Sequence, residues 1–392
     1  MRIRSFVIAL VVAIVAAFPG AVRSAAPAGP PFVIPAILPL TGPGAFLGKA
    51  IAQSLGLLEK LENGRGGIAG RPVNFLVLDD QSNPSVAVQL FNEHKDVPVV
   101  LGSALVANCL AMAPLIGHTG PLDWCLSPGV YPPAGSLMFT SGVGIDDSLA
   151  TYVRYFRLRG WTRVAAITAT DASGQGVDHG VNRAMTLPEN RDVTLVDAEH
   201  FNPTDLSVTA QIERIKAARP QVLIAWGTGT QFSTLLRGIR DVGLDIPIGG
   251  ATSVMVYVQL TQYGDLMPKE LYFPGPTSLS PQTIGPGPIR DAETAYLKIF
   301  HEIGVKPDIA NNIVWDPALI LVDALRKLGT DATPGQIHAY VENLQGWVGI
   351  NGVYNFRDGS QRGIGERGAI VSRWNPATND FVAVSRPGGY LK

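Results

Sequence analysis

The chain has 392 residues, of which 46% are hydrophobic and 16% charged, with a formal net charge of -1. That length holds two buried cores, and the near-neutral balance gives no electrostatic footprint for nucleic acid or for an anionic membrane surface. What is left is an ordinary α/β composition, rich in Gly and Pro.

The first stretch, MRIRSFVIALVVAIVAAFPGAVRSAAPAG, carries two arginines, an apolar run from Phe6 to Phe18 and then small residues. This predicts a secretory signal peptide over residues 1–25, cleaved near Ser24 to Ala26, its apolar part being short for a membrane span. The alternative is an uncleaved N-terminal anchor. No cysteine lies near the cleavage region to carry a lipid.

After it, apolar strand candidates alternate with amphipathic helix candidates. FVIPAIL leads to a helix with Ile51, Leu55, Leu58 and Leu61 on one face, and VNFLVLDD, PVVLG and PLDWCLS follow with helical segments between them. This alternation predicts a parallel sheet covered by helices. A polar, glycine-containing passage, TSGVGIDDS (Thr140 to Ser148), separates it from a second series of the same kind. That series runs from DDSLATYVRYFRLRG and RVAAITAT through VTLVDAEHF, QVLIAW and STLLRGIRDVG to IPIGG. Two similar lobes are the natural reading. A turn-rich passage, Glu270 to Pro288, then precedes helices near Ile289 to Gly304, Asn312 to Gly329 and Pro334 to Leu344. The tail, GVYNFRDGSQRGIGERGAIVSRWNPATNDFVAV, reads as short antiparallel strands, so the chain is expected to cross between lobes more than once.

Chemistry-bearing motifs are sparse. The two cysteines, Cys109 and Cys125, point to a disulfide in an exported protein, the alternative being two buried thiols. They lack CxxC pairing, and His94, His118, His179, His200, His301 and His338 lack HExxH or HxH spacing, so no metal site is expected. WGTGTQF (Trp226 to Phe232) has two glycines, but a phenylalanine where the dinucleotide fingerprint wants a third small residue. No GxxxxGK[ST] occurs, and DASGQG (Asp171 to Gly176) is not a nucleophile elbow. Asp79-Asp80 and Asp146-Asp147 are read as solvated loop charges. No cofactor and no enzymatic chemistry is expected.

Several passages together carry a family resemblance: PLTGPGAFLGKAI, NGRGGIAGRPVNFLVLDD, LGSALVAN with LSPG, TDASGQG, WGTGTQF with LRGIRDVGL, and the late GINGVYNFRDGSQRG. They resemble the periplasmic solute-binding proteins of ABC importers, type I, of the leucine/isoleucine/valine-binding kind. The resemblance implies a two-lobed α/β fold, each lobe a mostly parallel sheet covered by helices, with three hinge crossovers near Thr140 to Val143, Phe273 to Thr277 and Val348 to Gly352. The implied N-terminal lobe is 26–141 plus 276–349, and the C-terminal lobe 142–275 plus 350–392. The implied setting is the periplasm, with a small-molecule ligand and inner-membrane permease subunits as partners; a monomer is expected.

Carried over position by position, the implied ligand site takes Phe46 and Leu47 from the first loop, Ala104, Leu105, Ala107 and Asn108 from the next turn, and Ser127, Pro128, Gly129 and Tyr131 from another. The second lobe adds Ser173, Gly174, Trp226, Thr228, Thr230, Ala251 and Thr252, with Phe273 at a crossover. The ALVAN cradle is short of hydroxyls, and the second-lobe turns GTGTQF and GGATSV contain no acid. A buried ammonium without an anion would cost several kcal/mol, which makes an α-amino acid a poor fit. Asn108, Ser127, Thr228, Thr230 and free N–H groups are expected to receive a carboxylate or phenol, against the apolar surface of Phe46, Leu47, Leu105, Tyr131 and Trp226. The expected ligand is therefore an apolar or aromatic, benzoate-like carboxylic acid. A carboxylate side chain lining the interlobe gap, poised to meet an amine, would overturn this preference. Alternatives are an importer of branched-chain or other amino acids or amides, and a periplasmic sensor built on the same lobes.

Overall fold

A computed structural model describes residues 26–117 and 120–392, so the signal-peptide reading of residues 1–25 lies outside the described residues, as does His118. The first series runs β1 (Phe32–Leu38), α1 (Ala45–Gly64), β2 (Val73–Asp79), α2 (Pro84–Glu93), β3 (Val99–Leu101), α3 (Val106–Ile116), β4 (Leu122–Cys125) and β5 (Met138–Thr140). Its strands pair in parallel in the order β2-β1-β3-β4-β5, with β1 in register along β2 from Phe32 opposite Val73 to Leu38 opposite Asp79.

The second series runs α4 (Ile145–Leu158), β6 (Arg163–Ala169), α5 (Ala172–Thr186), β7 (Thr194–Phe201), α6 (Thr209–Ala217), β8 (Val222–Trp226), α7 (Thr230–Val242), β9 (Ile248–Gly250), α8 (Tyr257–Tyr263) and β10 (Leu271–Pro276). Then come α9 (Pro288–Glu302), α10 (Ile309–Asn312), α11 (Trp315–Leu328), α12 (Pro334–Glu342), the hairpin β11 (Gln345–Gly349) and β12 (Gly352–Asn355), and β13 (Ala369–Asn375) with β14 (Asp380–Ala383). The second sheet has the order β14-β13-β10-β9-β8-β6-β7; only its β10-β13 and β13-β14 pairings are antiparallel.

The sequence dictates these elements locally. β8 reads VLIAW and is buried at every position, as a central parallel strand covered on both faces must be. α7 buries Phe232, Leu235, Leu236, Ile239 and Val242, the stripe of a helix lying on a sheet, and leaves Arg237 and Arg240 exposed. Asn83 and Asp171 accept backbone N–H groups at the starts of α2 and α5, and Thr333 with Gln336 forms a reciprocal box at α12.

Three apolar cores result. One fills the second sheet and its helices. Another joins Ile34, Leu38, Leu55 and Trp124 of the first series to Tyr296, Phe300, Trp315, Leu321 and Ile337, so α9, α11 and α12 return to the first sheet. A third, on the opposite face of that sheet, packs Ile37, Val100, Cys109, Met112 and Cys125 with α2 and α3.

Grouping segments by the core that most of their buried residues join, we assign the lobes as 26–140 with 288–364 and 145–279 with 369–392, Ile309 of the first lobe packing with the second core. Leu279 still packs in the second core, which puts the second crossover after it, later than the expected Phe273 to Thr277. Ile350, Tyr354, Phe356 and Ile364 pack in the first core, which puts the third crossover after Ile364 rather than at Val348 to Gly352. The physical reason is aromatic: Tyr354 stacks on Phe356, whose edge meets Trp124, so the hairpin's apolar side is satisfied only on the first lobe.

Cys109 and Cys125 form a disulfide, with Cα atoms 5.9 Å apart, that ties α3 to β4. The solvated reading of the acidic pairs is corrected for two members. Asp80 is buried, accepting the Ser103 hydroxyl at 2.6 Å and the Ser82 N–H at 2.8 Å, while Asp146 is buried against Arg183 at 2.7 Å. Each closes a loop end with hydrogen bonds that sequence spacing does not reveal. Among the described residues no helix is long and apolar enough to cross a membrane.

Candidate functional site

In an open parallel sheet the strand order reverses at one point, and the turns leaving the two strands there diverge to opposite faces and open a crevice. In the first sheet that point lies between β1 and β3; in the second it lies between β6 and β8. The turns after these four strands face one another across the gap between the lobes. They enclose a cavity of about 250 Å³ with walls from both lobes.

The first-lobe wall rests on the paired acids. Asp79 accepts the N–H groups of Leu40 at 2.9 Å, Thr41 at 3.1 Å and Gln81 at 2.8 Å, and those bonds hold its carboxyl below the usual carboxylate range although burial pushes the other way. Ser82 accepts the Gly44 N–H at 3.0 Å and donates to the Thr41 carbonyl at 2.7 Å. These bonds fix Pro43, Gly44, Leu47 and Ser82 at the wall. Beside them the first turn of α3 presents Val106 and Ala107, and its cap residue Leu105 supplies no side-chain acceptor for the free N–H groups there.

The second-lobe wall is a chain of hydrogen bonds. Asp171 Oδ1 accepts the Gly174 N–H at 3.0 Å, and its Oδ2 accepts the Gln231 amide at 3.2 Å. Gln231 Oε1 accepts the Thr228 N–H at 3.0 Å, and the Thr228 and Ser253 hydroxyls lie 3.0 Å apart. The glycine turn WGTGTQF is thus one wall of the cavity, its polar groups tied to their own lobe. α10 closes the hinge side with Ile309, Ala310 and Ile313 just after it; it is capped by Asp308, whose carboxyl burial pushes up to about 6.

Of the residues singled out from sequence, Leu47, Ala104, Leu105, Ala107, Ser127, Pro128 and Gly129 stand at the first-lobe wall. Ser173, Trp226, Thr228 and Thr252 stand at the second-lobe wall. The other seven are placed elsewhere. Phe46 packs against both the first and second cores, beside Gly229. Asn108 is buried behind the first turn of α3, near Asp80. The Tyr131 hydroxyl accepts the Asp146 N–H at 2.8 Å, and its ring lies 5.1 Å from the Arg362 guanidinium. Gly174 sits where a Cβ would come within 1.7 Å of the Ala169 carbonyl oxygen, so it serves packing. Thr230 is exposed at the start of α7, and Ala251 and Phe273 are buried in the second core.

Sequence reading missed Ile51, Val143, Ile145, Ser148, Ile309 and Ile313, and it missed Asp171. The isoleucines read as ordinary helix-face residues, and nothing local says that a face turns toward a second lobe. Among the described residues Asp171 is the single ionisable side chain at the wall, and both its oxygens are engaged within the second lobe. Among the described residues the hydroxyls of Ser127, Ser148 and Ser173 line the cavity without a protein partner, the first from one lobe and the other two from the other. The remaining lining is largely aliphatic with Trp226, a setting that orients an apolar small molecule through a few polar groups.

Compared with known proteins, residues 31–379 match the family described as periplasmic binding protein. An extracellular ligand-binding receptor from Rhodopseudomonas palustris HaA2 is 21% identical, with a TM-score of 0.79 over 90% of this chain and 99% of its own. A leucine binding protein from Thermotoga maritima MSB8 is 18% identical, with a TM-score of 0.76 over 91% of this chain and 99% of its own. A solute binding protein from R. palustris, solved in complex with benzoate, is 16% identical, with a TM-score of 0.74 over 90% and 95%. At these identities the likeness establishes the fold, a two-lobed type I binding protein. The family and these neighbours are solute-binding receptors rather than enzymes. No curated protein matches the chain significantly.

Proposed function

The chain belongs to the periplasmic binding protein family, and we propose that within it this protein is the substrate-binding component of an ABC importer, capturing an apolar or aromatic, benzoate-like carboxylic acid between its lobes. One observation carries this reading: three serines, Ser127, Ser148 and Ser173, line from both lobes a cavity that is otherwise mostly apolar, and their hydroxyls have no protein partner among the described residues. A carboxylate among them would accept O–H groups from each lobe and N–H groups from the first turn of α3, whose dipole favours negative charge. Leu47, Ile51, Ile145, Trp226 and Ile313 would cover the apolar body. The benzoate-bound neighbour adds support, since the same fold accommodates such an acid. Because those contacts come from both lobes, the ligand favours the closed population, and the closed form is what inner-membrane permease subunits would engage in the periplasm. The protein would act as a monomer.

Asp171 favours a second reading, a branched-chain or other amino acid, because an ammonium beside its carboxylate would be paired. The engagement of both Asp171 oxygens within its own lobe argues for the first reading. Thermal unfolding against benzoate, octanoate, leucine and leucinamide separates them. A ligand at about 100 times its dissociation constant adds roughly 2.7 kcal/mol. The acids are expected to raise the melting temperature, and Asp171→Asn is expected to preserve their effect. Stabilisation by leucine alone, abolished by Asp171→Asn, would reverse the assignment.

A further inference from the structure

Phe46 is one residue from the cavity wall yet not part of it. Its neighbours Pro43, Gly44 and Leu47 line the cavity, while its own ring is half-buried against the cores of both lobes. The surface that receives it is the backbone at Gly229, between the wall residues Thr228 and Gln231. Gly229 has φ 61° and ψ -127°, a conformation open essentially to glycine. A Cβ there would stand 3.3 Å from Phe46 Cε1 and 3.3 Å from the Pro43 carbonyl oxygen. Both the conformation and the approach of the first lobe therefore call for glycine. The platform is held from behind: the Gly229 carbonyl accepts the Phe232 N–H at 3.2 Å and the Tyr263 hydroxyl at 3.4 Å.

We infer that Phe46 against Gly229 is a rim latch, an affinity-determining contact between the lobes that touches no ligand. When the lobes part, the ring loses its second-lobe partner and meets water. The burial energy therefore enters the balance between open and closed forms rather than the ligand's own contacts. Apparent affinity scales with the closed, binding-competent fraction, so the latch weakens or strengthens every ligand by one common factor. Phe46 is on this account a positioning residue, and a ring contacting ligand would behave differently, its loss depending on ligand size. The inference rests on the closure mechanism proposed above.

The test uses the full chain without its leader, with spin labels on cysteines placed at the exposed Lys60 of α1 and Glu213 of α6. Interlobe distance distributions are recorded for wild type, Phe46→Ala and Phe46→Leu, alone and with benzoate, octanoate or leucine, and dissociation constants are measured for each probe that binds. Phe46→Ala is expected to reduce the ratio of closed to open protein about tenfold, as befits partial exposure of one large ring, and to weaken every bound probe by one factor, the accompanying fall in the closed fraction. Phe46→Leu is expected to recover most of the loss. An unchanged closed fraction in Phe46→Ala overturns the latch, as does a loss that differs between probes. A wild type with no short-distance component under any condition also overturns it. If leucine binds and the acids do not, the ligand assignment fails while the latch is judged on leucine; if no probe binds, the ligand-free distributions decide.

Discussion

Replacing both Cys109 and Cys125 by alanine tests how the first-lobe wall is held. The bridge closes a segment of sequence separation 16 and joins α3 to β4, with both cysteines fully buried among Val100, Met112 and Ile116. In the chain-entropy account a loop of that size is worth about 3 kcal/mol at 25 °C. The two missing sulfurs also leave small voids in a close-packed core, which adds to the loss. For a lobe of this size that converts to a melting temperature lower by roughly 6–12 °C. Urea unfolding followed by tryptophan fluorescence, to which Trp124, fully buried in the neighbouring core, contributes, measures the free energy. Because the sulfurs are inaccessible, reductant should act on wild type only after the lobe opens. A double-alanine variant within about 1 kcal/mol of wild type would refute the reasoning and place the stability of α3 in its apolar packing alone.

Three further outcomes are expected. Ile313→Trp puts an indole into the cavity of about 250 Å³ and should abolish binding of any stabilising acid, with the unliganded melting temperature changed little; retained affinity by calorimetry would mean the ligand sits elsewhere. Asp123 is fully buried, both its carboxyl oxygens lack a partner among the described residues, and burial pushes it up to about 8. Its folded pKa lies above the unfolded one, so the proton is held more tightly in the folded state, and stability falls as pH rises from about 4 towards 8. Asp123→Asn should flatten the melting temperature against pH across that window, and an unchanged slope would assign it to other groups. Arg362 donates to the carbonyls of Pro128 at 3.1 Å, Val130 at 2.8 Å, Ser141 at 3.1 Å and Gly142 at 2.9 Å, so it joins a cavity-wall loop to the first crossover. Arg362→Met leaves those acceptors unpaired and should cost roughly 3 kcal/mol or more, with faster amide exchange in residues 127–131; unchanged exchange would show the loop to be held otherwise.

Much of the molecule was legible in one dimension because parallel sheets write themselves into sequence. Runs such as VLIAW have no polar face to lose, and stripes such as Phe232, Leu235, Leu236 and Ile239 can belong only to a helix lying on apolar surface. The turns that follow those strands must lie at the carboxyl edge of a sheet, and eleven of the eighteen residues placed there by resemblance do line the cavity. The disulfide is the pairing expected of the chain's two cysteines, Cys109 and Cys125.

What sequence left open depends on which surfaces meet. The hairpin β11-β12 belongs with the first lobe because its aromatic residues find Trp124 there, a contact between residues far apart in the chain. Phe46 and Tyr131 have the chemistry of ligand contacts, yet each is spent on the opposite lobe, one against Gly229 and the other on the Asp146 N–H. Ile145, Ser148 and Asp171 face the cavity only because the second lobe is turned toward the first. Local propensity and periodicity set each sheet with its helices; the relative placement of the two sheets set the walls, since a cavity between bodies is a property of neither body's sequence pattern.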